Sequence, residues 1–295
     1  MNRAQRDSLP QAARRASEAR QTPVEYLAPG NGRTKLGYLW TCTRPGGDTV
    51  FFWHTSRAAS CLEGIVPAGF RGVLQTDGYS AYFAFVRAHN TRAGDEAIAL
   101  AGCWSHARRG FFEARESAPR ICGWVLGQIK HLYKIERRLR ESEAGPRLRE
   151  ATRAAQSAMI LRRLHAALVR LQPRYLPQSA FGKAIAYALD QWPALERFLH
   201  DGRIEIDNNL VENAIRPTAL GKKNWMFFGA ADAGDRSAIL YTIVECCRRR
   251  GLDPFAYLRD VLTRLPKMTT DQIPEVTPEG WAKARNARPA ASAAA

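Results

Sequence analysis

Gly72-Val-Leu-Gln-Thr-Asp77-Gly-Tyr79 ends a short apolar strand on a carboxylate. In open α/β sheets, ligand sites gather beyond the C-terminal ends of strands, which makes Asp77 a candidate site residue. Gly78 lets backbone approach closely. The plainer alternative is a turn Asp before Gly. Upstream, Gly37–Thr43 and Thr49–His54 read as two strands, and Pro45-Gly-Gly-Asp48 between them turns the chain as a hairpin. Ser56 to Val66 fits a short helix with Ala58, Ala59, Leu62 and Ile65 as its buried stripe. Downstream, Tyr79 to His89 reads as helix and Ala97–Ala101 as another short strand. Hairpin, helix, strand, helix, strand, helices is an α/β order, compatible with a mixed sheet flanked by helices.

A second stretch, Ile206-Asp-Asn-Asn-Leu-Val-Glu212-Asn-Ala-Ile-Arg216-Pro217, opens a helix that Asp207 can cap. At about 100° per residue, Asn208, Asn209, Glu212 and Arg216 share one face, while Leu210, Val211 and Ala214 turn toward a core. Glu212 among amides is either part of a solvated face or a metal ligand with polar neighbours. Pro217 restricts the end of this helix. The run Lys222-Lys-Asn-Trp-Met-Phe-Phe228 follows. Lys222 and Lys223 beside Trp225 suit phosphate contact with base stacking. An ordinary strand with Trp225 and Phe227 packed inward fits equally well.

Between the two carboxylates the pattern is helical. Ile121, Val125, Ile129, Leu132, Tyr133 and Leu139 form one stripe, and Leu161, Leu164, Leu168 and Leu171 a second. Ala184, Ile185, Ala188, Leu189 and Trp192 form a third. Toward the end, Ile239, Leu240, Ile243 and Val244 mark a helix. Asp253-Pro254 then opens another, with Phe255, Leu258 and Leu262. Cys103-Trp-Ser-His106 has the spacing of half a zinc site, but no second pair completes it. Arg108 and Arg109 beside His106 read as phosphate-facing donors.

The 295 residues carry 44 Lys and Arg against 28 Asp and Glu, a net charge of +16. That excess favours a polyanionic partner, because each neutralised phosphate releases counterions. The six cysteines form no paired framework, the N-terminus has no apolar signal region, and no run approaches the ~18 apolar residues of a membrane span. These features point to a cytoplasmic protein with reduced thiols and no membrane partner.

Four ordered motifs are similar to the insertion-sequence-66 family of DDE transposases: Asp77-Gly-Tyr-Ser-Ala-Tyr82, Gly102-Cys-Trp-Ser-His-Ala-Arg-Arg-Gly-Phe111, Asp207–Pro217 and Gly221-Lys-Lys-Asn-Trp225. The resemblance runs from about Thr22 to Pro266. It implies an RNase H-like core, with Asp77 and Glu212 as the second and third members of a metal-binding Asp-Asp-Glu triad. It also implies Mg²⁺ or Mn²⁺ as cofactor, DNA cleavage and joining at insertion-sequence ends, target DNA as a second partner, and a homo-oligomer assembled on DNA. His106, Arg108, Arg109, Asn208, Asn209, Arg216, Lys222, Lys223 and Trp225 become its DNA-binding set.

One departure matters. The family carries its first Asp two residues before a Thr-Pro, and here Thr22-Pro23 follows Arg20. Glu18 and Glu25 are the nearest carboxylates and would reach that place only in a shifted register. The resemblance therefore leaves open a working transposase, a non-catalytic DNA-binding remnant and an RNase H-like nuclease. The domain expectation is a basic arm over 1–20 and a core over 21–236 with a helical insertion at about 115–200. A C-terminal helical element over 237–276 and a disordered tail over 277–295 complete it. The family's upstream DNA-binding and coiled-coil regions are missing, so the chain reads as an N-terminally truncated copy.

Overall fold

A computed structural model describes residues 16–287 apart from 29, 31 and 96. Six strands form a mixed sheet in an α/β fold. They are β1 (Ala16–Leu27), β2 (Thr34–Thr43), β3 (Thr49–His54), β4 (Gly72–Gln75), β5 (Ile98–Ala101) and β6 (Phe227–Phe228). The order is β3-β2-β1-β4-β5, with β6 also paired to β1. The expected hairpin is present: β2 and β3 pair antiparallel from Tyr38 opposite His54 to Thr43 opposite Thr49. The β4 and β5 pair is parallel.

Strand β1 corrects the sequence expectation. Ala16–Arg20, assigned there to a basic arm, are strand, and the rest of that arm lies outside the described residues. The strand pairs in parallel with β4 at its start and with β6 near its end. Thr22, Val24 and Tyr26 are buried, and Pro23, Glu25 and Leu27 are exposed, the alternation of a strand with one covered face. Pro23 has no N–H to give a ladder, and it falls between the β4-paired and β6-paired stretches.

The chain divides into two compact units. The first holds the start of β1 to Arg20 together with Arg57–Asn213, and the second holds Gln21–Ser56 with Ala214–Ala295. In the first, a 3-10 turn over Ala59–Gly64 buries Leu62. Helices α1 (Ser80–Ala93) and α2 (Trp104–Glu113) follow β4 and β5. Then come α3 (Pro119–Glu141), α4 (Pro146–Thr152), a π-helical turn over Arg153–Ser157, α5 (Ala158–Leu171), α6 (Ala180–Asp190) and α7 (Trp192–Glu196). Their apolar stripes meet in one core that includes Trp104, Phe111, Val125, Ile129, Leu164 and Ile185. That core takes up the three stripes read from the sequence except for Leu139, with Cys122 added and Ile121, Tyr133, Leu171 and Leu189 at its margin.

A fully buried ion pair locks this helical region. Arg153 donates to both oxygens of Glu136 at 2.8 and 2.7 Å, and to the carbonyls of Phe198 and Asp201 at 2.7 and 3.1 Å. Arg149 bridges Glu136 and Glu205. Burial pushes the Glu205 carboxyl up, but the hydrogen bond and charge of Arg149 outweigh it and leave Glu205 below its ordinary range.

In the second unit, α8 (Asn209–Trp225) continues from the first, followed by α9 (Ala233–Arg249), α10 (Pro254–Arg264), α11 (Ile273–Val276) and α12 (Pro278–Ala287). Val24, Tyr26, Leu39, Phe51, Trp53 and Phe228 pack with Ile215 and Ala238. Gly234 is required there, because a Cβ would lie 2.2 Å from the Trp53 ring. Asp253 caps α10 as expected, accepting from the N–H groups of Phe255 and Ala256.

Several local expectations need correction. Helix α8 does not stop at Pro217 but carries it inside and runs to Trp225. The Lys222–Phe228 run is therefore a helix end joined to the two-residue β6 through Met226, at φ 60°. Phe227 is exposed, and Trp225, half-buried, stacks on Phe228 at 4.9 Å. In α10 the buried residues are Tyr257 and Val261, whereas Phe255 and Leu262 face solvent. Leu210, Ile239 and Leu240 are exposed as well. The expected tail is helical to Ala287: Tyr257 donates to the Val276 carbonyl, and Trp281 donates to Asp260 at 2.8 Å. Residues 288–295 of that tail lie outside the described residues.

Candidate active site

Four side chains of the first unit converge where β1 and β4 end their shared register. Glu18 lies beside Gln75 in that parallel pair. The paired register ends there, two residues before Arg20 on β1 and two residues before Asp77 on the other strand. Asp77 follows β4 directly. Its Oδ1 accepts the Tyr79 N–H at 3.1 Å, and its carbonyl accepts the Tyr187 hydroxyl at 3.0 Å. Gly78, at φ 83°, makes this turn possible, because a Cβ there would meet the Tyr187 hydroxyl at 3.0 Å.

His106 comes from the first turn of α2. The start of that helix is fixed by the Trp104 N–H on the Ile206 carbonyl and the Trp104 indole on the Leu195 carbonyl, at 3.2 and 2.8 Å. Glu212 comes from the first turn of α8, which is fixed by two carboxylates. Asp207 accepts the Asn209 N–H, and the buried Glu18 accepts the Val211 N–H at 2.9 Å. Gln75, at the end of β4, donates to the Gly102 and Glu205 carbonyls and so ties the strand to the segment before α8. Tyr133 donates to Asp207 at 2.8 Å. Burial pushes the Asp207 carboxyl up despite that bond.

Within this frame Arg20 forms an ion pair with Glu212. The same guanidinium lies 3.3 Å from His106 Nε2, and His106 Nε2 lies 3.8 Å from Glu212. The Arg20, His106 and Glu212 side chains are each about a quarter exposed, at 25%, 25% and 26%. Arg20 can only donate, so Nε2 must be bare and the ring proton must reside on Nδ1. Nδ1 is buried and finds no partner among the described residues. Burial above all lowers the His106 pKa. Asp77 pulls it up, and the charges of Arg20 and Arg109 push it down, so the balance favours the neutral imidazole.

The other candidates fall in different places. Arg109 is exposed and pairs with Glu113 at 2.7 Å, and Arg108 lies over the Phe112 ring. Asn209 donates to Asp207 at 2.8 Å. Asn208 is not on the polar face. It is fully buried, and neither its amide nitrogen nor its oxygen has a partner among the described residues. Arg216, Lys222, Lys223 and Trp225 belong to the second unit. Lys222 there donates to the Pro23 carbonyl at 3.1 Å, while Arg216 and Lys223 are exposed. Of the carboxylates near Arg20 in sequence, Glu18 accepts the Val211 N–H of α8 and Glu25 accepts the Thr34 hydroxyl at 2.5 Å. Sequence reasoning did not include Glu18 in the site. Its only signal is an acidic residue at even spacing from Thr22, Val24 and Tyr26.

The family model described as "Transposase IS66 family" matches residues 12–236, and the one described as "IS66 C-terminal element" matches residues 242–278. This chain belongs to the IS66 transposase family. Similar proteins include three from Sinorhizobium fredii, each described as uncharacterized. The protein y4qI is 36% identical over 256 residues, 84% of this chain and 47% of that protein. For y4jD the identity is 35%, over 88% of this chain and 52% of the relative, and for y4hP it is 33%, over 84% and 48%. The chain thus spans about half the length of these IS66-like relatives.

A divalent cation does not fit this member of the IS66 family as its side chains stand. The Glu212 carboxylate already holds a guanidinium. Among the described residues no three His, Cys, Asp or Glu side chains gather as metal ligands. Arg20 cancels one of the two negative charges of Asp77 and Glu212, whereas an Asp at position 20 would leave three. Zinc is no better served, since burial pushes the Cys103 thiol up to about 11, far from the thiolate that zinc needs.

Proposed function

We propose that this chain is a DNA-binding member of its transposase family in which an internal cation stands where catalytic metal would bind. The fold would be an RNase H-like core, with the helices at about 115–200 as an insertion ahead of the third acidic position. The Arg20–Glu212 ion pair carries the proposal. It neutralises the carboxylate that the family resemblance assigns to metal, and it does so from the strand position of the missing Asp. Arg216 and Lys223 are exposed cations that remain available to phosphates.

What the chain's own residues do follows from their positions. Arg20 holds Glu212, burial with a smaller push from Arg20 favours a neutral His106, and Asp77 stays fixed by its turn, so Glu212 is not free to hold a metal that would activate an attacking oxygen. Binding without cleavage is the expected outcome.

The test uses the full chain with Mn²⁺ and supercoiled DNA carrying the ends of an IS66 element. The expected result is salt-sensitive binding with neither nicked nor joined product. Replacing Arg20 with Asp is expected to create Mn²⁺ binding measurable by calorimetry. Nicking or strand joining by the unmodified chain overturns the non-catalytic reading. Binding that does not weaken as salt rises overturns the DNA-binding reading.

A further inference from the structure

Away from the four-residue site, α3 and the π-helical turn leading into α5 frame an open cleft of about 560 Å³. His131, Lys134, Arg137 and Arg138 line one wall, facing Gln156 and Met159. We propose that this cleft is a second DNA-contact surface, one that takes the sugar–phosphate backbone of a duplex. The assignment rests on the DNA-binding reading above and adds to it a place that none of the expected DNA-binding residues occupies.

The charge arrangement is the first support. His131 and the three lining cations are exposed on α3, and Lys130 extends the row by one residue. Among the described residues Lys134 and Arg137 have no carboxylate partner, and Arg138 reaches only the Gln156 side chain, at 3.2 Å. Glu136 is on the same helix but points inward, fully buried against Arg153 and Arg149. Glu141, at the end of the helix, is the nearest exposed acid on it. The facing wall cannot supply a counter-charge, since the sequence from 151 to 189 contains no Asp or Glu. It adds cations instead: Arg163 is four residues past Met159, one turn further along the same side of α5, and is exposed.

The spacing suits a backbone. The eight helical steps from Lys130 to Arg138 span about 12 Å at ~1.5 Å per residue. Duplex DNA rises ~3.4 Å per base-pair step, so that row is as long as three or four steps of the duplex axis. The chemistry of the floor decides between duplex and single strand. Ile135, Met159 and Ile160 give an aliphatic bed on which Lys and Arg stems can lie with their heads outward. No Phe, Tyr or Trp lines the cleft among the described residues, and the single His131 imidazole is a poor substitute for the row of rings used to hold successive unpaired bases.

The test measures binding of a duplex of about 20 bp by fluorescence anisotropy across roughly 50 to 250 mM KCl, where each lost phosphate contact lowers the log–log salt slope by ~0.9. The triple variant Lys134→Gln, Arg137→Gln, Arg138→Gln is compared with a control, Lys35→Gln, Arg87→Gln, Lys267→Gln, which removes equal charge from exposed positions elsewhere. The cleft variant is expected to flatten the slope by about 2 to 3, and the control by less than about 1. Lys134→Gln alone disturbs no hydrogen bond among the described residues and repeats the test at about 0.9 of slope. Equal effects of cleft and control variants overturn the cleft while leaving the DNA-binding reading standing. Absence of duplex binding by the unmodified chain at the lowest salt overturns both. Equal binding of a single strand, lost to the same extent in the cleft variant, overturns the duplex assignment.

Discussion

Arg153→Met is expected to be among the most destabilising substitutions in the first unit, and its size can be worked from the contacts. Arg153 and Glu136 are both fully buried, and their two short hydrogen bonds are supplemented by two from Arg153 to backbone carbonyls. Removing one partner of such a pair leaves an uncompensated buried charge, which costs about 3–5 kcal/mol. Arg149, 3.2 Å from Glu136, compensates in part and places the expectation at the lower end. For a unit of this size, 3 kcal/mol lowers the thermal midpoint by about 6–12 °C.

The double variant Arg153→Met, Glu136→Leu should be more stable than Arg153→Met alone, because no carboxylate is then stranded. The orphaned Phe198 and Asp201 carbonyls should leave a residual cost of about 1–3 kcal/mol. Thermal unfolding followed by circular dichroism measures all three chains. A loss under about 1 kcal/mol for Arg153→Met, or a double variant whose loss is the sum of the singles, would refute this account of the pair.

Other perturbations have equally definite outcomes. Glu205 is held below its ordinary 4.5 when folded, so it contributes stability that is present above that value and lost as pH falls through the depressed one. Glu205→Gln should therefore flatten the acid limb of the stability curve, and an unchanged limb in chemical denaturation would contradict the assignment. Gly78→Ala forces a left-handed residue against the Tyr187 hydroxyl and should cost about 1–3 kcal/mol in the same melts. Asp253→Ala removes the carboxylate that accepts two N–H groups at the start of α10 and should cost about 1 kcal/mol, read as a lower midpoint without loss of β-structure.

Much of the sheet and most of the helices were legible because their patterns are local. The Pro45–Asp48 turn fixes the hairpin, and the Leu and Ile stripes of α3 and α5 bury as their spacing requires. Strand β1 was not legible at Ser17–Arg20, because the side that faces the protein carries Glu18 and Arg20. Glu18 is held there by the Val211 N–H, a partner 193 positions away. In α10 two faces carry apolar residues, and only the covering of Tyr257 by Val276 and Trp281 decides which is buried. The motifs single out Asp77, Glu212 and His106 as candidates. The pairing of Arg20 with Glu212 was not legible, because it depends on a strand that the sequence conceals.

The second unit is assembled from two separated pieces of chain, and that fixes an order of events during synthesis. Strand β3 lies at the edge of the sheet, and its Phe51 N–H waits for Thr242, 191 residues later. Thr49 likewise receives its bonds from Cys246 and Arg249. At roughly 5–20 residues per second, a ribosome takes about 10–40 s to deliver that helix. For that interval Thr49-Val-Phe-Phe-Trp-His54, six residues of strong strand preference with no fixed charge, has no native cover. The first unit can gather its helices as they emerge, whereas the second cannot close until nearly the whole chain exists. The vulnerable step in making this protein is thus the wait of β3 for α9, and nascent-chain aggregation should concentrate there.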